Sequence, residues 1–436
     1  MDTEPDRRVR TVLWLALGAA TLGIVLLLQA CFGTLPLLPS PTPPPAVEPR
    51  LSSPGALAPF FAALAALEQR QAQLSVRIVQ IGDSHTANDS LSGRLRERFQ
   101  RQFGEAGRGW LPAGIPYKYY RPHLVDVSET GWHHFKPSDH EPGLAFGIDA
   151  IDAASDPRDA VMAIESAEPA GFDQFAVEYL TQPKGSAFTV QVDDAAPVRV
   201  STAAAQPAIA RFDLPLDHPA RRVELHASGK PPVVLLGWAV ERHQPGIIYE
   251  NHGTIGATVD LLAQMTSEAV AYELSVRQPA LLVVAFGTNE GFDDNLDLDR
   301  YGARFQGEVA ALRHAAPGVP ILIVGPPDGN RVAKNCNPAA ACGSATGDCT
   351  WQEPPKLAGV RAAERRIAAN QGWAYWDWFT AMGGTCGIDR MTNSDPAQAM
   401  PDHVHLSRAG YEGIADALFG DLMNAYSDWK ARGPAS

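Results

Sequence analysis

Ser84 stands in the run Gly82-Asp83-Ser84-His85, directly behind the apolar stretch Val76 to Ile81. A serine placed just after a strand and just before a helix can project its hydroxyl at the strand's carboxyl edge, with its own N–H pointing into the same cleft. A serine hydroxyl is a weak nucleophile until a base takes its proton. An imidazole doing that work needs a carboxylate on its far nitrogen to fix its tautomer and stabilise the imidazolium. Asp402-His403-Val404-His405 is the only D-x-x-H in the chain, and three residues of loop let Asp402 and His405 turn the same way. His403 is the rival base. Asp402, its immediate neighbour, reaches that ring less easily, so His403 is expected at the surface or supporting the site from behind. Acyl transfer also develops an oxyanion, which needs donors aimed at it in advance. Asn251 to Thr258 offers the unobstructed backbone N–H of Gly256, Phe286 to Glu290 offers the side-chain amide of Asn289, and Ser84 offers its own N–H. Each of these is, taken singly, as well explained by a helix cap or a turn. Together they fall in one order, each at the end of an expected strand.

Those residues need elements to hold them. Ala56 to Gln73 carries apolar residues at helical spacing, Val76 to Ile81 is a buried strand, and Asp89 to Phe103 repeats Leu91, Leu95 and Phe99 on one helical stripe. Between about Glu105 and His243 short runs alternate apolar with polar residues, among them 174–180, 187–192, 198–202, 209–214, 222–226 and 233–240. That pattern predicts strands with one wet face, an all-β sandwich inserted into the first domain. Helix and strand then alternate again: strand 246–249, helix 259–274, strand 280–285, helix 301–315, strand 320–324, helix 356–369, strand 373–378 and a closing helix 407–429. Five apolar strands separated by helices predict an α/β fold, a doubly wound three-layer α/β/α parallel sheet, with sites outside the carboxyl ends of the strands.

The chain's formal charge is -13, from 36 Lys plus Arg against 49 Asp plus Glu, which leaves no basic footprint for nucleic acid. The same charge argues that a neutral sugar face and an ester, rather than anionic groups, supply recognition. Thr11 to Ala30 has no charged residue and follows Arg7, Arg8 and Arg10. At about 1.5 Å per residue it matches a bilayer's hydrocarbon thickness, so a transmembrane signal anchor is expected, with the arginines cytoplasmic. Leu28-Gln29-Ala30-Cys31 resembles a lipobox, the competing reading, in which Cys31 is lipidated; either tethers the chain to the inner membrane. The proline-rich stretch behind it reads as a semi-rigid spacer. Cys336, Cys342, Cys349 and Cys386 hold no C-x-x-C pair, which favours one or two disulfides in an oxidising periplasm over a zinc site and leaves three pairings open.

Gly82-Asp83-Ser84-His85, the block holding Gly256, Gly287-Thr288-Asn289-Glu290 and Asp402 to His405 together resemble the SGNH, or GDSL-like, hydrolase family, with His85 where the family often has Leu. The resemblance implies a flavodoxin-like SGNH fold, Ser84 as nucleophile, His405 as general base, Asp402 as its orienter, and Ser84, Gly256 and Asn289 as the oxyanion hole. No metal or organic cofactor is implied. Gly-Asp-Ser-His-Thr, the stretch Phe103 to Gly109 and a β-sandwich between the first two blocks further resemble bacterial peptidoglycan O-acetylesterases, whose sandwich is carbohydrate-binding-like. The expected layout is an anchor over 1–33, a linker over 34–55, the catalytic domain in two parts over 56–104 and 244–436, and the insert over 105–243. The expected partner is an O-acetylated envelope glycan. Two rivals share the residues: an acyltransferase using the same triad, and a non-catalytic glycan-binding protein. Trp110, Tyr117, Tyr119, Tyr120, Trp132, His133 and His134 are either sugar-stacking rings or core, and Asn330 to Glu353 is a candidate disulfide-pinned loop beside the cleft.

Overall fold

The Val76–Gly82 strand buries every residue but Arg77, as a parallel strand covered by helices on both faces must. In the computed structural model, which describes residues 49–332 and 351–433, it lies inside a six-stranded sheet. On one side it pairs in parallel with Ile247–Gly253, and on the other with Leu281–Ala285. Ile321–Val324 and Ala374–Trp376 continue the parallel order, and Leu51–Ser52 closes that edge antiparallel. The five expected parallel strands are therefore present, with a two-residue edge strand added.

Alternate residues of each strand feed two cores. Ile78, Tyr249, Val283 and Trp376 face one layer with Leu95 and Phe99 of the helix Asp89–Phe103 and Leu418 and Phe419 of the helix Arg408–Arg432. Val79, Ile81, Val284 and Ile323 face the other, against Phe305 and Val309 of Leu298–Ala315 and Ile367 of Leu357–Gln371. This is the three-layer α/β/α arrangement of the SGNH fold.

Three boundaries differ from expectation, each for a physical reason. The strand expected at 246–249 runs on to Gly253, because Glu250, Asn251 and His252 are buried polar residues with partners and carry no apolar signal. The single helix expected over 259–274 is two, Asp260–Gln264 and Ser267–Arg277. Between them Met265 is extended and the Thr266 N–H bonds to the carbonyl of Phe146, 2.8 Å away, instead of continuing the helix. The helix expected over 56–73 is a 3-10 turn, Pro54–Leu57, followed by Ala58–Glu68; it stops where Arg70 turns to a positive φ of 55°.

The chain between the Asp89–Phe103 helix and Ile247 builds two further, antiparallel sheets of five and six strands. Their facing sides share one core containing Trp238, Phe188, Met162 and Val177. The six strands expected in this region are all found, and the structure adds Gly107–Leu111, Val125–Thr130, Trp132–Phe135, Asp152–Ser155 and Ala160–Ser166. Of the aromatic cluster, Trp110, Trp132 and Tyr120 are core residues, while Tyr119 is 75% exposed.

Candidate active site

Three strand ends stand level. Gly82 is in register with Gly253 on one side and with Ala285 on the other, so the loops that follow open on one edge of the sheet. Ser84 comes two residues later, Gly256 three and Asn289 four. Glycine at the first two ends is a packing requirement. A Cβ on Gly82 would lie 2.4 Å from the Ala285 carbonyl oxygen, and one on Gly253 would lie 2.0 Å from the Ala87 nitrogen. Without those side chains the short helix Ser84–Ala87 settles directly onto the strand ends. Asp83 caps it, accepting from the His85 N–H at 2.9 Å, and burial pushes the Asp83 carboxyl up to about 6.

The loop before the last helix delivers the partners of Ser84. The hydroxyl of Ser84 lies 3.0 Å from Nε2 of His405, and Nδ1 of His405 lies 2.8 Å from Oδ2 of Asp402. The other oxygen of Asp402 accepts the backbone N–H groups of Val404 at 2.9 Å and His405 at 3.0 Å. Burial works against this carboxylate, but the imidazole and the two N–H groups hold it below the usual range. An ionised Asp402 fixes the proton on Nδ1 and leaves Nε2 free to accept from Ser84. On the opposite loops, Asn289 donates one amide proton to the Ala257 carbonyl at 2.8 Å, keeping its second N–H available. Gly256 adopts a φ of 74° with open space around it. Ser84 opens its helix, so its N–H has no intrahelical acceptor.

Three residues around this set carry roles that spacing does not announce. Glu290 accepts from the N–H of Val259 at 2.7 Å and of Gly287 at 3.1 Å, tying the two donor loops together; burial pushes its carboxyl up to about 7. His85 is buried, bonded through Nδ1 to the Tyr411 hydroxyl at 2.9 Å, with its ring 5.3 Å from that of His405. Burial pushes it down to about 3, so it stands behind the base as a neutral ring. His403 is not a surface residue. It is 5% exposed, stacked on Trp351 at 3.6 Å, and its carbonyl accepts the Asn330 N–H at 2.9 Å. Its backbone is left-handed, with a positive φ of 56°. A signal for His85 and Glu290 was at hand, since both lie within the motif blocks themselves.

Arg331 and Gln352 exchange backbone bonds of 2.9 and 3.0 Å at the base of the cysteine-bearing loop. Cys336, Cys342 and Cys349 lie outside the described residues, while Cys386 is disulfide-bonded. The apolar run Thr11 to Ala30 and Cys31 also lie outside them, and among the described residues no helix is long and apolar enough to cross a membrane.

Residues 225–412 match the GDSL-like lipase/acylhydrolase family. A solved peptidoglycan O-acetylesterase superposes with a TM-score of 0.72 at 24% identity, over 87% of this chain and 100% of that one. A family two carbohydrate esterase from Cellvibrio japonicus, 11% identical, aligns over 70% of this chain and 99% of its own with a TM-score of 0.25. A search of curated proteins finds no match.

Proposed function

From a chain that carries a GDSL-like acylhydrolase domain on the SGNH fold, a serine esterase, we propose a substrate and a set of roles: it removes O-acetyl groups from a cell-envelope polysaccharide, the muramoyl residues of peptidoglycan. The observation that carries the roles is the unbroken hydrogen-bonded line Asp402, His405, Ser84 at the edge where three strands end level. Ser84 attacks the acetyl carbonyl, and His405 takes its proton and returns it to the departing sugar hydroxyl. Water, activated by the same imidazole, then releases acetate from the acetyl-serine. Asp402 steadies the imidazolium, and the N–H groups of Ser84 and Gly256 with the amide of Asn289 receive the oxyanion. The substrate class is supported by likeness to the peptidoglycan O-acetylesterase, which covers 87% of this chain. In this reading the chain works in the periplasm, tethered through Thr11 to Ala30 or Cys31.

The test is acetate release from purified O-acetylated peptidoglycan, set against acetylated xylan and an aryl acetate. Ser84→Ala should abolish release while leaving thermal unfolding almost unchanged. Release from xylan alone would overturn the substrate, and turnover by the variant would remove Ser84 from the mechanism. Transfer of acetyl to an added glycan acceptor in preference to water would convert the esterase into an acyltransferase.

A further inference from the structure

A cleft of 720 Å³ begins at Asn289 and runs along the first two turns of the helix Leu298–Ala315. Its size falls within the roughly 300–1,000 Å³ typical of small-molecule sites, and it shares Asn289 with the proposed oxyanion donors. Its walls join exposed polar side chains, among them Asp293, Asp297 and Arg300, to the apolar Val259 and Leu296. Asp260 is paired with Arg304 at 2.8 Å. Asp293 accepts from the Asn295 N–H through one oxygen, and Asp297 accepts through one oxygen from the N–H groups of Asp299 and Arg300, so each carboxylate keeps its second oxygen. Arg300 spends only its backbone N–H, and its guanidinium has no partner among the described residues.

The cleft therefore presents a fork of unspent donors beside unspent carboxylate acceptors. A ligand with hydroxyls, each both donor and acceptor, satisfies such a set. A carboxylate would face Asp293 and Asp297, and an apolar chain would strand the polar groups. We propose that this cleft is the subsite for an uncharged, polyhydroxylated sugar ring next to the acylated one, and that Arg300 is its specificity-determining residue. The glycan then lies across the loops of the catalytic sheet, not across the antiparallel sheets, whose aromatic rings other than Tyr119 are largely spent in the core. This rests on the glycan esterase reading and adds the direction in which the chain is bound.

The experiment measures inhibition of aryl acetate hydrolysis by de-O-acetylated peptidoglycan tetrasaccharide, using the wild type, Arg300→Ala, Asp293→Ala and Tyr119→Ala. Because the inhibition constant is read within each variant's own activity, a change in turnover does not disturb it. Losing a forked hydrogen-bond donor is expected to raise the constant about tenfold in Arg300→Ala, with a smaller rise in Asp293→Ala and none in Tyr119→Ala. The KM for O-acetylated glycan should rise in parallel while kcat changes little. If the wild type is inhibited and releases acetate from peptidoglycan, but Arg300→Ala and Asp293→Ala keep its inhibition constant, the cleft assignment alone fails. A rise confined to Tyr119→Ala moves the subsite to the antiparallel sheets. If the wild type is neither inhibited nor active on the polymer, the peptidoglycan reading falls and the subsite with it.

Discussion

Asp402 tests the relay at the scale of single residues. Asp402→Asn keeps the size of the side chain but lets an amide proton face His405, so Nδ1 must accept and Nε2 carries the proton where Ser84 needs a base. The expected loss in kcat is about 10⁴-fold, with unfolding little affected because Asp402 is half exposed; a loss below about tenfold on an aryl acetate would mean that another carboxylate orients His405. The line from Asp402 through His405 to Ser84 was legible in the sequence because each residue stands in a motif block whose residue types serve one chemistry, and the roles proposed for Gly256 and Asn289 rest on the same blocks. His403 was legible only by name. Nothing in Asp402-His403-Val404-His405 tells which imidazole turns inward, since that depends on Trp351, 52 positions back along the chain, and on a left-handed backbone at His403.

Strand ends and the turns after them do the positioning, and they respond to change differently from the catalytic groups. A methyl on Gly253 meets backbone, the nitrogen of Ala87 at 2.0 Å, so the Ser84–Ala87 helix has to move to admit it. Gly253→Ala is expected to cost about 1–3 kcal/mol of stability, the usual range for overpacking, and to lower kcat on an aryl acetate at least about tenfold through displacement of Ser84. A variant with the wild-type rate of labelling by a fluorophosphonate would show that the helix tolerates the shift. The parallel strands were legible as apolar runs, and six of the antiparallel ones as short runs alternating apolar with polar residues. The tail of the Ile247–Gly253 strand was not, because its buried residues are Glu250, Asn251 and His252, whose burial is made tolerable by partners distant in sequence. The break after Gln264 was likewise invisible, because the Thr266 N–H is claimed by Phe146, more than a hundred residues earlier.

Across the whole molecule, buried charged groups help join the antiparallel sheets to the catalytic sheet. Asp149, in the region between the two motif blocks, accepts from the Trp110 indole at 2.8 Å and lies 2.8 Å from His252 on the strand Ile247–Gly253. Glu250 lies 3.3 Å from the other nitrogen of His252, and Arg277 packs under the Trp110 ring at 4.2 Å. Burial disfavours a charged His252, yet the two carboxylates prevail and hold its proton up to about 9. An unfolded histidine releases that proton near pH 6.5. The stabilisation is therefore complete below about pH 6.5, shrinks as pH rises from there because only the unfolded chain has let go, and is gone once pH passes about 9 and the folded chain releases it too. Over that window the difference corresponds to at most about 3 kcal/mol. Melting followed from pH 6 to pH 10 should show the wild-type Tm falling, and His252→Gln should start lower at pH 6 and fall less. Parallel curves for the two proteins would mean that His252 stays neutral and that hydrogen bonding without charge joins the sheets. The contrast with His85, pushed down to about 3 by burial next to Trp378 and Tyr411, follows from the neighbours alone: carboxylates surround one buried imidazole, and aromatic rings and a second imidazole surround the other.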